Sequence, residues 1–117
     1  MGGYDPRKNI FEVTDSRGYK VICTEETWYA KILGARPYMS DWIEEVKQAI
    51  INPHYICIDK DKENRHVYYK LQKHGSDSYL KVVVKFDHSD KGIVITTYPT
   101  DSGKQGETII WTRSSNS

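Results

Sequence analysis

The sequence predicts an α+β domain: an N-terminal hairpin, then two helices packed on one face of an antiparallel β-meander. Two observations support this fold class. Apolar side chains recur at helical spacing over residues 24–51, and after Pro53 their period changes to two. The connections between the later strands are short and polar, which favours antiparallel neighbours over crossover helices. With 117 residues, the chain is predicted to be a single domain (1–117) with a core at about 24–112 and a polar tail at 113–117.

The predicted strands follow from apolar runs separated by polar turns. Runs at 10–13 and 19–23 flank the turn signal at 15–18, which predicts a β-hairpin. Five further strands are predicted near 55–59, 65–72, 78–87, 92–98 and 107–112.

The two predicted helices have identifiable start and stop residues. Thr24 is a favourable N-cap for the first helix, and Gly34 is a natural C-terminal stop. The second helix is expected to start at Ser40 and to end at Asn52-Pro53. Both apolar stripes are interpreted as core. They comprise Trp28, Tyr29, Ile32 and Leu33 in the first helix, and Trp42, Ile43, Val46, Ala49 and Ile50 in the second.

Composition excludes several classes of protein. An apolar share of 38% with a charged share of 28% excludes a membrane protein, a coiled coil and a disordered chain. The polar residues 1–9 lack the apolar block of a signal peptide, so we expect a soluble cytoplasmic protein. Cys23 and Cys57 are then expected to be buried thiols rather than a disulfide.

Alternation within the strands divides their side chains between two faces. The set interpreted as facing the helices is Val67, Tyr69, Leu71, Leu80, Val82, Val84 and Phe86. The opposite side of the sheet, called the open face here, is predicted to carry His66, Tyr68, Lys70, Tyr79, Lys81, Lys85, Thr96 and Tyr98.

The predicted open face combines cations with aromatic rings. The strings 64–74, 78–86 and 92–100 contain no acidic residue, although the chain has 16. Lysines bind phosphates and tyrosine rings stack on unpaired bases, so this surface is typical of a platform for single-stranded RNA. The alternative interpretation is the ordinary solvated face of a sheet, where Lys and Tyr are common and edge lysines prevent aggregation.

No motif for a metal or a cofactor is present. The four histidines have no ligand spacing, the two cysteines are far apart, and no glycine-rich loop could hold a phosphate. We therefore predict neither a metal nor a cofactor. His54, His74 and His88 are interpreted as surface residues without a role, and only His66 lies among candidate groups.

Six strings in order resemble the phage-type branch of the barnase/EndoU/colicin/RelE-like (BECR) nuclease superfamily. They are residues 28–37, 50–58, 65–70, 79–84, 94–98 and 110–111. The resemblance implies a RelE/barnase-like fold and a toxin-type endoribonuclease that needs no metal ion. In that chemistry a ribose 2′-OH attacks the adjacent phosphate, which requires a proton acceptor, a proton donor and cations.

The resemblance also implies roles for individual residues. Arg65, Tyr68 and Lys70 match the family's basic-aromatic strand, Thr96 matches the hydroxyl of a later strand, and Trp111 matches a terminal tryptophan. The predicted catalytic set is His66, Tyr68, Lys70 and Thr96, with His66 or Tyr68 as the proton carrier. Together with the open-face residues, the predicted RNA and phosphate contacts are Lys31, Arg36, Arg65, Lys81, Lys85, Tyr79 and Tyr98.

This chain differs from the family pattern in its helical segment. Lys31, Arg36 and Tyr38 occupy positions where relatives carry histidines, so phosphate binding is retained more readily than proton transfer. The expected partners are RNA and a cognate antitoxin. A non-catalytic polyanion-binding module and a protein-interaction module on the same fold are the alternatives.

Overall fold

The protein consists of a seven-stranded β-sheet and two helical segments, which confirms the α+β class. The computed structural model describes residues 5, 7–72, 79–87, 90–101 and 106–113. His74 and His88 lie outside the described residues. The strands are β1 (Asn9–Thr14), β2 (Lys20–Thr24), β3 (Tyr55–Ile58), β4 (Arg65–Leu71), β5 (Tyr79–Phe86), β6 (Lys91–Thr100) and β7 (Thr108–Thr112).

The order of strands in the sheet is β1-β2-β6-β5-β4-β3-β7. Strands β3 to β6 are antiparallel neighbours in chain order. The predicted five-strand meander is wrong in its last step, because β7 pairs with β3 at the far edge rather than with β6. The other side of β6 is already used, since β2 pairs with it in parallel at Lys91–Ile93 and the first helical segment also contacts it.

Each helical segment combines two helix types. The first is a π-helix over Thr27–Ile32 followed by an α-helical turn over Leu33–Ala35. The second is a 3-10 helix over Pro37–Trp42 followed by an α-helix over Ile43–Ile51. Thr24 Oγ1 accepts a hydrogen bond from the backbone N–H of Thr27 at 3.1 Å, which confirms the predicted N-cap.

Two details predicted for the first segment are wrong. The helix continues one residue beyond Gly34, to Ala35. Tyr29, predicted as core, is 40% exposed, whereas Trp28 and Ile32 are buried. A π-helical turn contains more residues than an α-helical turn, so the buried stripe does not follow ordinary α-helical periodicity.

The main core lies between the helical segments and one face of the sheet, here called the helical face. Val46, Ala49 and Ile50 of the second segment are fully buried there, as predicted. The sheet contributes Ile56, Tyr68, Leu80, Val82, Val84 and Val94, and the hairpin contributes Phe11, Val21 and Cys23.

The open face carries a smaller core of its own. It is formed by Cys57, Val67, Tyr69 and Val83, with Tyr55, Tyr79 and Ile95 packed against them. The centre of the sheet is therefore buried on both sides, which distinguishes it from a sheet with one fully solvated face.

The predicted orientation of β4 is wrong. Tyr68 lies in the helical core and is fully buried, whereas Val67 and Tyr69 face the other side. In the pairing with β5, His66, Tyr68 and Lys70 oppose Val84, Val82 and Leu80, which belong to the helical core. Both faces of β4 are buried at its centre, so the alternation of polar and apolar residues did not identify the inner face. The predicted division of β5 is confirmed.

Candidate nucleic-acid interface

A row of aromatic and cationic side chains crosses the open face from strand to strand. The row contains one residue from each of four neighbouring strands: Tyr55 on β3 opposes Tyr69 on β4, Tyr69 opposes Lys81 on β5, and Lys81 opposes Tyr98 on β6. The rings of Tyr55 and Tyr69 are stacked, with centroids 4.9 Å apart. Lys81 Nζ lies 5.8 Å from the centre of the Tyr69 ring and 5.4 Å from that of Tyr98, which is within cation–π distance of both.

Arg36 extends this row beyond β6. Its guanidinium carbon lies 4.6 Å from the centre of the Tyr98 ring. Arg36 follows the first helical segment, which contacts β6, and its backbone is extended at φ −139°. The end of that segment therefore brings a cation from the helical layer to a ring on the open face.

Lys81 is a buried cation with a buried carboxylate beside it. The side chains of Lys81 and Glu107 are only 8% and 4% exposed, and Lys81 Nζ lies 3.8 Å from Glu107 Oε2. Tyr69 Oη donates a 2.6 Å hydrogen bond to Glu107 Oε1. Glu107 Oε2 is buried and has no hydrogen-bond partner. The charge of Lys81 is thus largely compensated within the protein.

Beside this row lies a concavity of about 360 Å³. Its lining includes Arg65, Lys81, Thr96 and Tyr98, four of the residues singled out from the sequence. Register explains their convergence, because Thr96 opposes Val83 and Tyr98 opposes Lys81, which places both side chains on the open face as predicted. The remaining lining residues are Asp59, Val83, Ile95 and Thr100.

Three further predicted contact residues lie outside this concavity. Lys85 opposes Arg65 across β4 and β5, is exposed, and lies 4.0 Å from Asp87. Tyr79 is half-buried and packs edge-on against Tyr55 and Tyr69. Lys31 is exposed in the last turn of the π-helix.

The predicted catalytic set is divided between the two faces of the sheet. Thr96 lines the concavity, whereas His66, Tyr68 and Lys70 lie on the helical face. The expectation that all four share one surface is therefore wrong.

His66 and Tyr68 belong to a buried polar network with the tip of the β1–β2 hairpin. The carboxylate of Asp15, whose side chain is fully buried, accepts hydrogen bonds from Tyr68 Oη at 2.7 Å and from Arg17 Nη2 at 2.8 Å. Arg17 Nη1 donates to His66 Nδ1 at 3.0 Å, since a guanidinium can only donate. Arg17 also lies 4.6 Å from the centre of the Tyr19 ring.

The network holds both predicted proton carriers in their neutral forms. Burial, with the charge of Arg17, lowers the pKa of His66 to about 4. Burial and the hydrogen bond to Asp15 raise the pKa of Tyr68 far above its ordinary value. Neither group lies in the concavity, so we interpret the network as a connection between the hairpin and the sheet.

Sequence reasoning missed the acidic residues of the open face. Strands β3 to β7 lack acidic residues, but Asp59 and Glu107 reach this face from the segments after β3 and before β7. An isolated Glu between a turn and a strand has no distinctive pattern. Only the strand order, with β7 beside β3, brings Glu107 to Tyr69 and Lys81.

The described residues form neither a metal site nor a membrane-spanning helix. No group of three or more His, Cys, Asp or Glu side chains in this part of the chain could hold a metal ion. Among the same residues, none of the helices has the length and apolar character needed to cross a membrane.

Comparison with known proteins adds no relative. No protein-family model matches the chain, and neither the curated proteins nor the solved structures contain a match. The function is therefore inferred from the geometry of the open face.

Proposed function

We propose that the chain is an RNA-binding domain that holds a single-stranded segment on the open face of its sheet. One observation carries the proposal: Arg65, Lys81, Thr96 and Tyr98 line one concavity, and Arg36 stacks on Tyr98 beside it. Single-stranded nucleic acids require cations for their phosphates and aromatic rings for their unpaired bases, and this surface carries both.

The residues divide into phosphate contacts and a stacking contact. Arg36 and Arg65 are half-buried, and neither forms an ion pair with a carboxylate in the described part of the chain. Their planar guanidinium groups suit bidentate contact with phosphate oxygens. The ring of Tyr98 provides the stacking surface, and Lys81, which is paired with Glu107, contributes mainly by holding Tyr69 and Tyr98 in place.

The proposal includes the RelE/barnase-like fold and a toxin-type role with a cognate antitoxin as partner. Two helical segments before four antiparallel strands in chain order support the fold, together with the ordered strings that resemble the BECR superfamily. The additional hairpin, which pairs in parallel with β6, is a feature of this chain.

Metal-independent RNA cleavage is the second candidate function. Glu107 favours it, because its Oε2 is a carboxylate oxygen without a hydrogen-bond partner, 3.8 Å from the ammonium of Lys81. In this reaction Glu107 accepts the proton of the 2′-OH, the 2′-oxygen bonds to phosphorus, and the bond from phosphorus to the 5′-oxygen breaks. A proton donor, for which Lys81 is the candidate, protonates the departing 5′-oxygen. Because Glu107 and Lys81 are buried, cleavage requires that bound RNA uncover them.

RNA binding is tested by titrating a fluorescent single-stranded oligoribonucleotide at several salt concentrations. Arg65→Gln is expected to weaken binding. It should also reduce the magnitude of the slope of log K against log salt by about one, which corresponds to the loss of one phosphate contact. Tyr98→Ala is expected to weaken binding by about 1 to 3 kcal/mol at every salt concentration, because it removes a stacking surface. Lys20→Gln, an exposed strand lysine with a weak ion pair to Glu12, is the matched control and should bind as the wild type does. Equal affinity in all four proteins would refute the proposal.

Cleavage is tested separately by incubating the pure protein with bulk RNA in EDTA over a range of pH. Cleavage that Glu107→Gln abolishes supports an endoribonuclease. Intact RNA, together with salt-dependent binding, supports a non-catalytic module on the same surface.

A further inference from the structure

The C-terminal end of the second helical segment is surrounded by hydrogen-bond donors. Lys70 Nζ donates to the backbone oxygen of Asn52 at 3.0 Å, and Arg113 Nη2 donates to the same oxygen at 2.7 Å. Asn52 is the C-cap of the α-helix Ile43–Ile51. Both cations thus lie where the helix dipole favours positive charge.

Capping the helix accounts for only part of this donor set. Arg113 Nε is buried and has no hydrogen-bond partner. Arg113 Nη1 lies 3.4 Å from His54 Nε2. The other ring nitrogen, His54 Nδ1, lies 3.0 Å from the backbone nitrogen of Leu71, which can only donate.

These contacts determine the hydrogen position on the imidazole. A neutral imidazole has one accepting nitrogen and one N–H. Because Nδ1 of His54 accepts from the amide of Leu71, Nε2 carries the hydrogen. The N–H at Nε2 then faces the Nη1–H of Arg113, so two donors meet without an acceptor between them. An acceptor placed beside both would satisfy them.

The cations of this cluster have no carboxylate partner among the described residues. In the described part of the chain, no carboxylate forms an ion pair with Lys70 or Arg113. Glu44 and Glu45 line a pocket that Lys70 also lines, but Glu44 is paired with Lys47. Burial and the two neighbouring cations lower the pKa of His54. Burial and the charge of Arg113 lower the pKa of Lys70. In both groups burial is the larger cause, and the neighbouring positive charge acts in the same direction.

We propose that Lys70, His54 and Arg113 form a binding site for a phosphate-type oxyanion at the end of the second helical segment. The oxygens of one anion accept from the Lys70 ammonium, from Nε2–H of His54 and from Nη1–H of Arg113. One N–H of the Lys70 ammonium is donated to Asn52, so its other two remain for the anion, and Asn52 accepts neither Nε2–H of His54 nor Nη1–H of Arg113. Lys70 opposes Leu80 of the helical core, so the site lies on the helical face and does not depend on RNA binding at the open face.

The first experiment follows the imidazole signals of His54 by NMR while sodium phosphate replaces sodium chloride at constant ionic strength. Phosphate is expected to shift these signals in a saturable manner and to raise the pKa of His54, because an anion favours the protonated ring. A response that does not saturate, or that chloride reproduces, would overturn the proposal.

Substitutions show which residues produce the response of His54 to phosphate. Arg113→Gln is expected to weaken phosphate binding about tenfold, through loss of charge-assisted hydrogen bonds. Lys70→Gln is expected to weaken it in the same direction, and it provides the test if Arg113→Gln does not fold. Lys20→Gln is the control and should bind as the wild type does. Equal binding by the folded variants and the control would overturn the site.

The same phosphate chemistry is available from a free anion and from an RNA backbone. A short oligoribonucleotide without terminal phosphates distinguishes them, with His54 again as the probe. A response to the oligomer that Lys70→Gln weakens identifies the RNA backbone as the ligand, and a response to inorganic phosphate alone identifies a free anion. Tyr98→Ala should leave the response of His54 to phosphate unchanged, because Tyr98 lies on the open face. RNA binding at the open face can therefore fail without affecting this test.

Discussion

Replacing Asp15 with Asn is expected to destabilise the protein severely, although the change removes no volume. The carboxylate of Asp15 accepts five hydrogen bonds within the protein. Its Oδ1 accepts the backbone N–H groups of Arg17 and Tyr19, and its Oδ2 accepts Nε and Nη2 of Arg17 and Oη of Tyr68. An Asn side chain can keep the two backbone contacts, but its amide NH₂ then faces three donors.

The expected cost follows from burial. The Asp15 side chain is fully buried and that of Arg17 is 15% exposed, so the substitution leaves a guanidinium without its counter-charge. Breaking a buried pair by removing one partner costs about 3 to 5 kcal/mol. In urea unfolding followed by circular dichroism, this corresponds to a midpoint lower by about 2 M. Asp41→Asn, at an exposed position, is the matched control and should change stability by less than about 0.5 kcal/mol.

Tyr68→Phe refines the test. It removes one of the five hydrogen bonds to Asp15 and leaves the ion pair intact, so a loss of about 1 to 2 kcal/mol is expected. In the double variant with Asp15→Asn, the two losses should not add, because both remove the same contact. A loss below about 1 kcal/mol for Asp15→Asn, equal to that of Asp41→Asn, would refute the reasoning.

Three further predictions concern stability and accessibility. The pKa of His66 is lowered from an ordinary 6.5 to about 4, so between these values the folded state binds fewer protons than the unfolded state. The free energy of unfolding should therefore fall as the pH is lowered from about 6.5 to about 4, and it should fall less in His66→Gln. Gly92→Ala should lower the free energy of unfolding by about 1 to 3 kcal/mol in urea, because a Cβ there would lie 2.5 Å from Val84 Cγ1. Gly34→Ala is the control and should be neutral or stabilising, because the space around Gly34 is open. Equal effects of the two substitutions would contradict the packing. Burial raises the pKa of Cys23 to about 12 and of Cys57 to about 11, so a thiol reagent at pH 8 should label both only after unfolding, as mass spectrometry would detect.

Much of the element structure could be predicted from local pattern alone. Strands predicted near 55–59 and 107–112 are observed at Tyr55–Ile58 and Thr108–Thr112. The faces of β5 were predicted correctly because lysines alternate with Val and Leu along that strand. Alternation is informative there because the two sets differ strongly in polarity.

Alternation of polar and apolar residues did not identify the inner face of the neighbouring strand β4, for a physical reason. Tyr68 and Tyr69 are both fully buried, on opposite faces of β4, so neither face of this strand is wet at its centre. The polar groups that allow Tyr68 to be buried come from Asp15 and Arg17, about fifty residues earlier in the chain. Glu107 was missed for the same reason, since its contacts depend on which strand lies beside which. Side-chain polarity within a strand contains no information about partners this distant.

The strand order also determines the redox chemistry open to the two thiols. Cys23 belongs to β2 and Cys57 to β3, and the order β2-β6-β5-β4-β3 separates them by four strand spacings, or about 19 Å. Their sulfur atoms also point to opposite sides of the sheet, one into each core. A disulfide needs Cα atoms within about 7 Å, so no intramolecular bridge can close while the sheet is intact. Oxidants can therefore crosslink this chain internally only after it has unfolded.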